Sequence, residues 1–115
     1  MASPKALRGE VWQVDLNPVI GHEQGGRWPA LIVSADGFNK SRAGLVMVVP
    51  LTSVAKGIRT HVPIHPPEGG LNLPSFAKCE DLRSASVERL AKRGGQASEE
   101  TMRKIEDLLR LLLNL

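Results

Sequence analysis

The sequence predicts a mainly β fold with one α element, a small β-barrel carrying a C-terminal helix. Three observations predict it. Short apolar or alternating runs recur between turns rich in proline and glycine, of which the chain holds 8 and 11. A single stretch near the end repeats its apolar residues every three or four positions. The 115 residues, 42 % of them hydrophobic, are enough for one core and too apolar for a disordered chain.

Residues 1–8, "MASPKALR", are expected to form a flexible tail, and 9–115 one domain. "EVWQVDL" (10–16) sets Trp12, Val14 and Leu16 against Val11, Gln13 and Asp15, the period of a half-buried strand. Asn17-Pro18 ends it. A loop over 19–29 leads into "ALIVS" (30–34), a short apolar strand, and "ADGFNKSRAG" (35–44) is a polar connector. "LVMVVPLTS" (45–53) reads as a buried strand that passes Pro50 into a turn or bulge, because proline cannot donate to a central ladder. "THVPI" (60–64) is a short edge-type strand and "HPPEGGLNLP" (65–74) a loop. "SFAKCEDL" (75–82) alternates weakly, and "ERLAKRGG" (88–95) is a turn followed by a last strand. Ser98 caps the helix, with Glu99 and Glu100 at the positive end of its dipole. Met102, Ile105, Leu108, Leu109 and Leu112 form its apolar face. The surplus Leu111, Leu113 and Leu115 predict that the helix end meets more than one small core.

Exclusion narrows the chemistry. His22, His61 and His65 are scattered, no ligand spacing appears, and neither metal nor cofactor is expected. "GHEQGG" lacks the Gly-Lys-Ser/Thr ending of a P-loop, and no Gly-x-Ser-x-Gly elbow occurs. The lone Cys79 reads as a packed residue and forms no internal disulfide, which fits a reducing compartment. No apolar run approaches the ~20 residues of a membrane span, and the first residues lack the apolar centre of a signal peptide. A cytoplasmic protein is expected. What remains is a cation and a hydroxyl. The excess charge of +3 falls in residues 21–59, where Arg27, Lys40, Arg42, Lys56 and Arg59 face only Glu23 and Asp36. Arg27 sits on the glycine-hinged loop and offers a planar fork suited to phosphate oxygens. Thr52 lies at a strand end, where a hydroxyl can donate to a developing anion. The pair suits phosphoryl chemistry on a substrate with its own nucleophile, as RNA has in its 2′-hydroxyl. The alternative is a turn arginine and a strand-end threonine that satisfy backbone groups.

"RGEVWQVDLNPVIGHEQGGRWPALIVS" resembles the opening of the MazF/PemK family of toxin ribonucleases. There a Gly-acidic-hydrophobic-Trp strand leads through an Asp-x-x-Pro turn to a Gly-Ser/His-Glu-Gln loop. "VVPLTS" is similar to the family's Pro-x-Thr strand end, and "KCEDLRSASVERL" to a later segment; the likeness spans residues 8–115. The resemblance implies an SH3-like barrel and a symmetric homodimer. It also implies a cytoplasmic mRNA interferase that cuts single-stranded RNA at short sequences without metal, and an antitoxin with an acidic tail. In the family an arginine and a threonine act on the scissile phosphate, the 2′-oxygen attacks, and a 2′,3′-cyclic phosphate results. Thr52 matches the family threonine; Glu23 and Gln24 match its Glu-Gln pair, Glu23 serving proton transfer. The family places arginine directly before proline, whereas here Trp28 holds that place and Arg27 lies one residue earlier. In an extended strand such a shift turns a side chain to the other face. Arg27 is the expected catalytic cation, with Lys56 or Arg59 as alternatives. Trp28 and Phe38 would stack on bases. Gln24, Ser53, Lys40, Arg42, Lys56 and Arg59 complete the expected RNA-binding set, the cations tracking the backbone. Two rival readings are a barrel that binds RNA or peptide without cleaving, and a toxin directed at DNA gyrase.

Overall fold

The computed structural model describes residues 5–15 and 26–115. Strand β1 (Glu10–Asp15) sends Trp12 and Val14 to one face and Val11 to the other, and all three are buried. β1 pairs antiparallel with β2 (Arg27–Ile32) on one side and β7 (Leu90–Gln96) on the other. β2 pairs with β3 (Leu45–Thr52), which serves as the spine. The first half of β3 pairs with β6 (Arg83–Ser86) and its end with β5 (Ser75–Lys78), which in turn pairs with β4 (His61–Ile64). Helix α1 (Asp36–Asn39) is one turn long, and α2 (Glu99–Leu113) closes the chain.

Because β3 alternates, it feeds two cores. Val46 and Val48 join Trp12, Val14, Ala30, Ile32 and Leu90 on one face. Val49 and Leu51 join Val11, Leu31, Ile64 and Ala77 on the other, where Met102 and Ile105 of α2 lie over them. Full burial of Ile105 contributes about 1.5–3 kcal/mol. The Ser98 hydroxyl accepts from the Thr101 N–H at 3.1 Å, the expected cap, and Asn114 ends the helix in a left-handed conformation. Leu111, Leu112, Leu113 and Leu115 are exposed.

Five features depart from the sequence reading. β2 begins at Arg27, because Asp15 and Val14 offer Arg27 and Trp28 partners in register. Pro50 stays inside β3; β6 pairing stops at Val48 and β5 pairing starts at Leu51. That change of neighbour is a place a residue without an N–H can occupy. The connector holds α1, tied by Asn39, whose side-chain amide donates to the Ser34 carbonyl at 3.1 Å. β6, "RSAS", is a polar edge strand that shows no apolar alternation. Residues 5–8 also sit on the barrel: Ala6 is buried in the core of Trp12 and Val14, and Arg8 bonds the Val33 carbonyl and Glu106.

The loop before β5 is fastened at its root. The 3-10 turn Glu68–Gly70 lies against β7 so closely that a Cβ on Gly70 would stand 2.2 Å from the Gly94 carbonyl oxygen. One on Gly95 would stand 2.6 Å from the Gly70 nitrogen. Glu68 accepts from the Ser98 N–H at 2.9 Å, which joins the same turn to the start of α2.

Candidate active site

Thr52 ends β3, and Phe76 of β5 stands directly opposite. On the other side Ala30 faces Pro50, and continuing that register by two residues brings Trp28 opposite Thr52. Residues directly opposite point to one face, so Trp28, Thr52 and Phe76 form a row. The next row holds Ala30, Pro50 and, by the same continuation on the β5 side, Lys78. Lys78 is therefore the diagonal neighbour of Thr52, a spacing of about 7–8 Å that long side chains cross.

A cavity of about 430 Å³ opens at this end of the sheet, bounded by residues of both strand faces. Trp28, Pro29, Pro50, Leu51, Thr52, Ser53, Ser75 and Lys78 line it from the strands and their ends, and Leu71, Asn72 and Leu73 from the fastened loop. The Thr52 hydroxyl accepts from the Val54 N–H at 3.2 Å. That bond occupies a lone pair and leaves the hydroxyl proton to donate. The Lys78 ammonium is 2.8 Å from Asp81. No carboxylate, imidazole or thiol lines this cavity among the described residues.

The strand edge beside Lys78 is held by a small network. His61, opposite Lys78 in register, places Nε2 2.9 Å from Glu80, which also accepts from the Thr60 hydroxyl at 2.8 Å. Burial would raise the Glu80 pKa, but the Thr60 and His61 bonds outweigh it and hold the carboxyl below 4.5. Burial, and then the Glu80 charge, push the Cys79 thiol up to about 11. It stays a protonated packing group at neutral pH.

Of the residues expected at the site, the fold brings Thr52, Ser53 and Trp28 to one cavity. Arg27 is the exposed first residue of β2, opposite Asp15, and strand alternation turns it to the face away from Trp28; it does not line the cavity. Lys56 and Arg59 are exposed on the segment that follows Thr52. Phe38, Lys40 and Arg42 are exposed at the other end of the β2–β3 pair, on or just after α1. Glu23 and Gln24 lie outside the described residues. Sequence reasoning missed Lys78, Asn72 and Leu73. The available signal was the alternation of "SFAK", which places Lys78 on the face of Phe76; only the β3–β5 register shows that Thr52 shares that face.

The pattern of the PemK-like, MazF-like toxins of type II toxin–antitoxin systems matches residues 7–113. Endoribonuclease MazF9 of Mycobacterium tuberculosis is 36 % identical over 113 residues, covering 94 % of this chain and 96 % of that protein. The crystal structure of MazE-MazF (Form-II) from Deinococcus radiodurans superposes with a TM-score of 0.83 at 29 % identity, covering 97 % of this chain and 98 % of that one. An endoribonuclease in complex with its cognate antitoxin, from a mycobacterial species, superposes at 0.78 with 28 % identity and 96 % coverage of both chains.

Proposed function

This chain belongs to the PemK-like, MazF-like toxin family, and from that premise we propose that it is an endoribonuclease toxin that cuts single-stranded RNA at a short sequence without a metal. The observation that carries the reading is the cavity at the end of β3, where the Thr52 hydroxyl, an aromatic wall at Trp28 and the polar Ser53 and Asn72 converge. A nucleotide base can stack on Trp28 while its phosphate meets Thr52.

The chemistry proposed is internal transfer. The 2′-hydroxyl gives up its proton, and its oxygen forms a bond to the adjacent phosphorus. The bond from phosphorus to the 5′-oxygen breaks, and a proton goes to that leaving oxygen. The products are a 2′,3′-cyclic phosphate and a free 5′-hydroxyl. Thr52 donates to a non-bridging oxygen as charge builds in the phosphorane, and Glu23 is the proton-transfer group. Arg27 is the cation the sequence nominates, with Lys56 and Arg59 as alternatives. A hydroxyl and a cation acting on charge that grows in the transition state need no metal for the step. A cytoplasmic homodimer held inactive by an acidic antitoxin segment completes the proposal. A surface that attracts phosphates attracts acidic peptide for the same electrostatic reason.

The test is incubation of the purified protein with a long, unstructured RNA in excess EDTA, beside Thr52→Ala and Arg27→Ala. Discrete fragments with 2′,3′-cyclic ends, reduced by about 100-fold in Thr52→Ala, are the expected result. Loss in Arg27→Ala as well places the cation at that residue, and retention moves it elsewhere. Intact RNA from folded wild-type protein overturns the reading in favour of a binding module.

A further inference from the structure

We infer that Lys78 is the cation that meets the scissile phosphate in this chain, a role that rests on the ribonuclease reading above. Three observations lead to it. Trp28 lines the cavity together with Thr52, whereas Arg27, one residue earlier, lies outside the cavity lining. Lys78 is the one cation that lines the cavity among the described residues, and its strand position is diagonal to Thr52 on the same face. Its side chain is 27 % exposed and is held by Asp81 at 2.8 Å.

The ion pair sets what Lys78 can do. An ammonium carries three N–H donors, and Asp81 engages it from the 3-10 turn Cys79–Asp81 just beyond β5. The remaining donors serve the non-bridging phosphate oxygens that Thr52 does not reach. Asp81 thus fixes the direction of a flexible four-carbon stem before substrate arrives, which lowers the entropy lost when the phosphate binds. The bond-making and bond-breaking steps are those already given, and Lys78 keeps its proton throughout. Arg27, outside the cavity lining, is left to a flanking phosphate.

The experiment is single-turnover cleavage of the same RNA in EDTA by wild type, Lys78→Met, Lys78→Arg and Arg27→Ala. Binding of a 2′-O-methyl copy, which has no nucleophile, is measured in parallel, with thermal melts of every variant. Lys78→Met is expected to slow cleavage by about 100-fold, with the larger part in the rate at saturation. Lys78→Arg should recover to within about tenfold of wild type, and Arg27→Ala should lose less than Lys78→Met does; a larger loss in Arg27→Ala overturns the assignment. The Lys78–Asp81 pair is partly exposed and separates by three residues, so melts should match wild type. Wild-type cleavage with Lys78→Met as fast as wild type overturns the assignment and leaves the ribonuclease reading standing. A Lys78→Met defect matched by a lowered melting temperature and not repaired by Lys78→Arg makes the lysine structural. Absence of cleavage by wild type removes both proposals.

Discussion

At the scale of single residues, Glu10 organises more of the molecule than its position near the start implies. The residue is 4 % exposed, and its carboxylate accepts from the Leu7 N–H at 2.8 Å, the Trp12 indole at 3.1 Å and the Arg93 guanidinium. Burial alone would raise its pKa; the Leu7, Arg93 and Trp12 bonds outweigh that and hold it below 4.5. A carboxyl depressed in the folded state adds stability that is fully present above its unfolded value, and that stability is lost as pH falls through the lower folded value. Glu10→Gln should therefore cost about 1–3 kcal/mol at pH 7, and less as the pH drops below 4.5. Urea melts at pH 7 and pH 3.5 check this, and an equal deficit at both would take charge out of the explanation. The sequence marks Glu10 within "GEVW", but Arg93 is 83 residues away and nothing in the local pattern names it. The place of Thr52 at a strand end was legible for the opposite reason, since strand ends announce themselves through the turn that follows. Lys78 was not, because its meaning depends on which strand lies beside β5.

Elements were legible where their pattern was their own. The two-residue period of β1 and the three-to-four spacing of α2, with its Ser98 cap, required no knowledge of neighbours. β2 and β6 did require it. The glycine and proline around Arg27 and Trp28 read as loop, and pairing with β1 overrides that preference. "RSAS" holds strand geometry because β3 supplies partners from Leu45 to Val48. The turn at Glu68–Gly70 gives an element-scale prediction. Gly70 has a φ of 70°, and an alanine there adds about 1–2 kcal/mol of backbone strain to a side-chain carbon lodged against the Gly94 carbonyl. Gly70→Ala should lower stability by at least that amount and also slow RNA cleavage, as Leu71–Leu73 shift at the cavity rim. Calorimetry beside a cleavage assay tests it. A stable variant with normal activity would mean the turn moves without consequence.

For the molecule as a whole, two cores on either side of one sheet explain why so much of β1, β2 and β3 is apolar on both faces. That doubling was hidden in the sequence, which shows apolar runs but not what covers each side. The charge distribution was visible at once, and the fold divides it: Lys56 and Arg59 follow Thr52, whereas Lys40 and Arg42 belong to the α1 end. Neutralising Lys56 and Arg59 together should weaken RNA binding whatever the sequence. It should also reduce the slope of log K against log salt by about 1.4, the value for two single-strand phosphate contacts. Titrations from low to moderate salt measure that slope, and an unchanged slope would clear both residues of backbone contact. The fastening of the 65–74 loop carries the last consequence. Its glycine clamp and the Glu68–Ser98 bond lie at the root, while Asn72 and Leu73 stand exposed beyond it on the rim. Inheritance can therefore treat the two parts separately. Substitution at the rim reshapes the mouth of the cavity and leaves the fastening of the barrel intact, so the two parts can vary in separate steps without passing through an unfolded ancestor.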